Sequence, residues 1–230
     1  GRKTLPYDKM FKTLGIYKAA ELSLSSLDKH TIDVLHAYSN GINKYLEENS
    51  GKLPLEFAML NYSPNKWKPI HSLIVAKMLA WELNISWWTD FSFTHLIQKF
   101  GKEKAKEILP NFEQNQNYII SNKLTAADNI ALGLVETDKS FRKFMGFEGT
   151  HIGSNNWVVD GKHSSSGKPI IANDPHLAFQ APARWYLAVI KAGDKTTAGF
   201  TLPGLPAVVI GKNDNISWVV TNVMADDADF

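Results

Sequence analysis

Residue types suited to attack on a carbonyl gather at Gly153-Ser154-Asn155-Asn156-Trp157-Val158-Val159. Gly153 leaves the backbone unrestricted just ahead of a hydroxyl residue. Two carboxamides follow, and the apolar run from Trp157 to Val159 reads as a strand. A serine and two amides at the mouth of a strand suit a site that holds and orients a hydroxyl. The same residue types also make ordinary turns, and these seven residues alone do not separate the two readings. A serine hydroxyl is a weak nucleophile and needs a base. A serine that starts a chain carries one in its own α-amine, whose pKa lies near ~7.7–8, and then needs no His-Asp pair.

Other candidates lie downstream. His176 stands in Ala172-Asn173-Asp174-Pro175-His176-Leu177. A lone histidine is either a structural hydrogen-bonder or a participant in chemistry, with Asn173 and Asp174 read as the turn that presents it. Asn222 reads as a polar residue ending a strand. The carboxylates Asp226, Asp227 and Asp229 fall within five residues. Hard cations take several oxygen ligands, carboxylates and backbone carbonyls among them; a solvated acidic turn has the same composition. Trp81, Trp87, Trp88, Phe91 and Phe93 suit either an acyl-binding cleft or a packed core.

Four segments in order carry a family resemblance: Gly153-Ser154-Asn155-Asn156-Trp157, Ala172-Asn173-Asp174-Pro175-His176, Pro203-Gly204-Leu205-Pro206 and Ile216-Ser217-Trp218-Val219-Val220-Thr221. Together they resemble the penicillin acylase (penicillin amidase) family of N-terminal-nucleophile hydrolases, which includes cephalosporin and acyl-homoserine-lactone acylases. Ala37-Tyr38-Ser39-Asn40-Gly41-Ile42-Asn43 extends the likeness, more weakly, into the part before Gly153. The resemblance implies hydrolysis of a linear amide through an acyl-enzyme on Ser154, after the precursor cuts its own Gly153–Ser154 bond. It implies that Asn222 gives its backbone N–H to the oxyanion hole, and that His176 contacts the nucleophile's hydroxyl or amine. A Ca²⁺ site would use Asp226, the Ala228 carbonyl, Asp229 and Asp90 from the helical part. The substrate would be a small N-acyl compound such as a β-lactam or an acyl-homoserine lactone. The rival from the same resemblance is a non-catalytic relative that binds acyl amides or lipids in the same cleft. A second oxyanion donor, further metal ligands and the rest of the large subunit are expected beyond Phe230, so this stretch by itself is expected to be inactive. The family is mostly exported, which implies a periplasmic or extracellular setting.

The elements that must position these residues divide into a helical first part and a sheet-rich second part. Residues 1–134 read as the helical, small-subunit-like part, 135–153 as a spacer-like linker, and 154–230 as the start of the large-subunit-like part. Ser25-Ser26-Leu27-Asp28 caps a helix that Asn49-Ser50-Gly51 stops. Further helices are expected from Ser72 to Leu83, from Asp90 to Phe100 and from Lys102 to Leu109. Strands are expected over Trp157 to Val159, Pro169 to Ala172, Trp185 to Lys191, Thr196 to Leu202, Ala207 to Ile210 and Ile216 to Thr221. Connections this short argue for antiparallel pairing. The fold class is α+β, and the resemblance implies part of an αββα sandwich.

Composition bounds the rest. The 230 residues are 44% hydrophobic and 21% charged, the balance of a folded chain rather than a disordered one. A formal net charge of +2 is too small to argue for nucleic acid or an anionic membrane. No cysteine is present, so disulfides and thiolate metal sites are unavailable. The apolar runs are too short to span a bilayer.

Overall fold

The computed structural model describes residues 1–84, 86–108, 127–146, 153–177 and 181–223. Eight helices and six strands lie within them, with every strand pair antiparallel. The fold class is α+β. The chain forms two compact units, each assembled from separated stretches: residues 1–14, 81–150 and 222–230 make the first, and 15–80 and 151–221 the second. Neither unit follows the division into a helical part and a sheet part that composition suggests.

The first unit holds α1 (Leu5–Leu14), the end of α5 (Pro69–Leu83), α6 (Ser86–Phe100), α7 (Lys102–Lys106) and α8 (Ala127–Phe144). The rings of Tyr7 and Phe11 on α1 meet Phe141 on α8 edge-on, with centroids 5.5 and 4.8 Å apart. The Tyr7 and Ser140 hydroxyls are 3.0 Å apart. On α6, Trp87 is fully buried and packs against Trp81, Trp88 and Phe91. These aromatics therefore serve a packed core.

Helix α8 covers part of the stretch, residues 135–153, that composition marks as a spacer-like linker. The helix runs through Phe144, and Val135, Asp138 and Arg142 on it are buried. Asp138 and Arg142, one turn apart, neutralise each other inside the unit (Arg142 Nε to Asp138 Oδ2, 2.7 Å).

The second unit begins with α2 (Ile16–Ser26), α3 (Lys29–Glu48) and α4 (Leu55–Met59), followed by the first turns of α5. Asp28 caps α3: its carboxylate accepts from the Thr31 N–H (3.0 Å) and the Thr31 hydroxyl (2.7 Å). Pro54 stands at the N-cap of α4 and Pro69 opens α5, a position where proline's missing N–H costs nothing. The Asn43 carboxamide grips the backbone of Trp67 at both ends, donating to its carbonyl (2.9 Å) and accepting from its N–H (2.7 Å).

Strands β1 (Gly153–Val159) and β2 (Ile170–His176) form a two-stranded hairpin around a single 3-10 turn at Gly161–His163. Strands β3 (Tyr186–Ala192), β4 (Lys195–Thr201), β5 (Val208–Lys212) and β6 (Ser217–Trp218) form a meander in chain order. Gly199 and Gly211 lie opposite each other on β4 and β5. A Cβ on Gly199 would stand 2.1 Å from the Ile210 carbonyl oxygen, so only glycine fits. The Pro203-Gly204-Leu205-Pro206 turn docks on the helices of the same unit. The Gly204 N–H donates to the Tyr38 hydroxyl (3.0 Å), and a Cβ there would stand 2.9 Å from Val75 Cγ2. The sheets leave apolar side chains in the open: Val158 is 71% exposed, Leu187 63% and Val189 70%.

Candidate active site

Ser154 is the second residue of β1, inside the strand rather than in a turn ahead of it. The Asn173-Asp174-Pro175-His176 segment, expected as a turn, is likewise the second half of β2. Register explains why both segments tolerate strand geometry. Gly153 pairs with His176, Ser154 with Pro175, Asn155 with Asp174, and Asn156 with Asn173. Side chains alternate between the two faces of a strand. One face of the hairpin therefore carries Ser154, Asn156 and Asn173, and the other carries Asn155, Asp174 and His176.

On the first face, the Ser154 and Thr221 hydroxyls are 3.1 Å apart. Thr221 Oγ1 also lies 3.3 Å from the Ser154 carbonyl, to which it donates. Thr221 has one hydroxyl proton. If that proton goes to the carbonyl, the Ser154 hydroxyl donates to Thr221 and its lone pairs are left facing elsewhere. Pro175, opposite, has no N–H to offer across the ladder. The Asn173 carboxamide holds the segment after β6 that carries Thr221. Its Nδ2 donates to the Val220 carbonyl (3.0 Å), its Oδ1 accepts from the Val220 N–H (3.4 Å), and its Nδ2 also bonds the Asn156 side-chain oxygen. Asn173, read as a turn former, thus positions the partner of the candidate nucleophile.

On the second face, His176 Nε2 lies 2.9 Å from Asp174 Oδ2 and 3.4 Å from Asn155 Nδ2. With its proton on Nε2 the imidazole donates to the Asp174 carboxylate. The structure therefore groups His176 with Asp174 and Asn155, and Ser154 with Thr221, and does not bring the imidazole to the serine hydroxyl.

Asn222 follows Thr221 directly and belongs to the first unit, where its Nδ2 donates to the Leu83 carbonyl at the end of α5 (2.8 Å). Asp90 is half-buried on α6. Asp226, Ala228 and Asp229 lie outside the described residues. Among the described residues no three acidic or histidine side chains converge as a metal site. Sequence reasoning missed Thr221 and Asn173 as site residues. Thr221 was visible in the Ile216 to Thr221 segment, but nothing in spacing alone directs a strand-end hydroxyl to a serine 67 positions earlier.

The start of the hairpin in this α+β chain thus presents a serine hydroxyl paired with a threonine. The pattern of the penicillin amidase family matches residues 1–230, and the chain belongs to that family. It is 29% identical to the acyl-homoserine lactone acylase QuiP of Pseudomonas aeruginosa, over the whole of this chain and 28% of that protein. It is 25% identical to the penicillin acylase 2 proenzyme of a Pseudomonas species, over 98% of this chain and 30% of that protein. The penicillin G acylase of Escherichia coli is 20% identical, over all of this chain and 33% of that protein. The chain thus spans about a third or less of the length of these relatives. No solved structure gives a significant match. No described helix is long and apolar enough to cross a membrane.

Proposed function

We propose that the full-length protein is an amidohydrolase that cleaves linear N-acyl amides with Ser154 as an N-terminal nucleophile. The observation that carries this reading is the Ser154 hydroxyl on β1, directly after Gly153 and 3.1 Å from the Thr221 hydroxyl. The family to which the chain belongs supports it.

The first step is self-cleavage. Ser154 Oγ attacks the Gly153 carbonyl carbon, the Ser154 nitrogen leaves with a proton, and an ester forms. Water opens the ester to a Gly153 carboxylate and a Ser154 with a free hydroxyl and a free α-amine. In the mature enzyme that amine takes the hydroxyl proton as Ser154 Oγ attacks the substrate carbonyl. It returns the proton to the leaving amine, and water then releases the acid from the acyl-enzyme. The Asn222 N–H stabilises the oxyanion, a contribution worth about 2.7–4 kcal/mol for a preorganised donor. His176 shapes the site from its Asp174 contact and carries no proton in the reaction. The relatives include acyl-homoserine lactone acylases and penicillin acylases, and the substrate class proposed for this protein is the N-acyl amide they share. The protein acts in the periplasm or outside the cell.

A Ca²⁺ ion held by Asp90, Asp226, the Ala228 carbonyl and Asp229 would tie α6 to the segment after Asn222 within one unit.

Intact-mass analysis of the full-length protein tests the mechanism. Two chains split between Gly153 and Ser154, with a Ser154→Ala variant left whole, are expected. A full-length protein that hydrolyses amides while uncut would overturn it. The free enzyme's rate should rise with pH through the amine's pKa, near ~7.7–8, because the base works only when unprotonated.

A further inference from the structure

The last turn of α5 has a problem that its sequence does not solve. A helix leaves its final carbonyls without intrahelical donors, and they carry the negative end of the helix dipole. Nothing basic lies in the last turn of α5 itself. The donors come from two distant places. Arg142 of α8 sends Nη1 to the Glu82 carbonyl (2.7 Å) and Nη2 to the Trp81 carbonyl (3.2 Å) and the Asn84 carbonyl (3.5 Å). The carbonyl of Leu83, the last residue of α5, accepts from Asn222 Nδ2 (2.8 Å).

Arg142 is itself held rigidly. Its side chain is buried, its Nε donates to Asp138 Oδ2 (2.7 Å), and its guanidinium lies 5.0 Å from the Trp88 ring centre. The two oxygens of Asp138 also take the indole N–H groups of Trp81 and Trp88, both at 3.1 Å. A planar, five-donor guanidinium fixed in this way suits several carbonyls at once, which an ammonium does not. A fully buried ion pair of this kind is costly unless its geometry is well satisfied. Here its hydrogen bonds are spent on one helix end and on the tryptophans beside it.

We infer that Arg142 and the Asn222 carboxamide are positioning groups for the oxyanion donor. The Leu83 carbonyl sets where the Asn222 side chain stands, and hence where the Asn222 backbone N–H stands. Arg142, fixed by Asp138, keeps the helix end that presents that carbonyl. This rests on the reading of the Asn222 N–H as the oxyanion donor. It also changes what substitution at Asn222 should do. A role limited to the N–H leaves the side chain dispensable; a positioning role does not.

The test uses the full-length, self-cleaved protein and an acyl 4-nitroanilide, with competent sites counted by the acyl-enzyme burst. Asn222→Asp keeps the shape of the side chain and removes the donor. Arg142→Lys keeps the charge and removes the fork. Each is expected to lower kcat per competent site by about ten- to a hundredfold, as a small misplacement of a catalytic group does, with KM within about twofold. The double variant is expected to be no slower than the worse single one, since both act through one helix end. Wild-type kcat in Asn222→Asp, or independent additive losses in the double variant, would overturn the inference. A merely structural role would lower the melting temperature and the number of competent sites while leaving kcat per site unchanged, and that result also overturns it. If Arg142→Lys does not fold, Asn222→Asp decides alone. Asn222→Pro separates this inference from the reading beneath it. A folded Pro variant with wild-type kcat would remove the oxyanion assignment itself. An inactive Pro variant beside a fully active Asp variant would remove only the positioning role.

Discussion

At the residue scale, the Ser154 hydroxyl has a partner that decides its direction. With the Thr221 proton on the Ser154 carbonyl, Thr221 Oγ1 accepts a hydrogen bond from the Ser154 hydroxyl. Removing that hydroxyl while keeping the shape should slow self-cleavage. One hydrogen bond is worth about 0.5–1.5 kcal/mol net, so Thr221→Val should process up to about tenfold more slowly than wild type in a mass-spectrometric time course. Thr221→Ser should stay close to wild type. A Val variant cut at the wild-type rate would show that the hydroxyl pair is incidental. How much of this was legible in the sequence depends on which residue is asked about. Ser154 stood out only with the other family segments beside it, because a glycine, a serine and two amides also make an ordinary turn. The place of His176 was not legible. Its partners follow from the pairing of Gly153 with His176 and of Asn155 with Asp174, and a strand's register is a tertiary fact that alternation alone does not supply. Asn173 was read by its turn propensity. Its side chain instead holds Val220, and tertiary contact outweighed propensity.

At the element scale, the helices with local signals came out close to expectation, and those without did not. Asp28 at the start of α3 and Gly101 after α6 mark ends that the chain states locally. Residues 1–21 carried no helix expectation, yet α1 and α2 form across them and on to Ser26; Tyr7 and Phe11 are committed by Phe141 of α8, not by local periodicity. The Asp138–Arg142 pair on α8 is buried, yet two charges one turn apart look solvated when only sequence is available. Two predictions belong here. The Thr31 backbone N–H, and then the Thr31 hydroxyl, hold the Asp28 carboxyl below the ordinary carboxylate range. The cap's stabilisation is therefore present above the ordinary pKa of about 3.9 and is lost as pH falls through the lowered value. Asp28→Asn should retain a capping oxygen and flatten that acid-limb contribution in melting curves; an unchanged difference between the two proteins across the acid limb would remove the assignment. Asp138→Ala leaves Arg142 buried without its carboxylate, and should cost about 3–5 kcal/mol in urea unfolding. A loss within the range of surface substitutions, about 0.5 kcal/mol, would mean that the pair is not the anchor of α8.

At the scale of the whole molecule, the two compact units are each assembled from separated stretches of the chain, and the chain spans about 28% of the length of the acyl-homoserine lactone acylase it matches. Apolar side chains such as Val158, Leu187 and Val189 stand open on the two sheets. The proposed Ca²⁺ adds a tie within the first unit. In the full-length protein, chelation should lower the melting temperature, because an ion bound only to the folded form stabilises it by about 2.7 kcal/mol at a hundred times its Kd. Asp226→Ala should abolish that response, and a melting curve indifferent to chelator would remove the ion. Self-cleavage depends on more of the molecule than the ion does. An unassisted peptide bond is inert, and preorganised donors supply much of the acceleration. The 230 residues hold Ser154, Thr221 and Asn222, whereas the resemblance places the second oxyanion donor beyond Phe230. The 230-residue chain expressed by itself should therefore remain whole across Gly153–Ser154 and leave an acyl 4-nitroanilide unhydrolysed, while the full-length protein should be split there. Intact mass and a burst assay on both would decide the matter. Clean cleavage of the 230-residue chain would show that Ser154, Thr221 and the β1–β2 hairpin carry the self-processing chemistry without help from the rest of the protein.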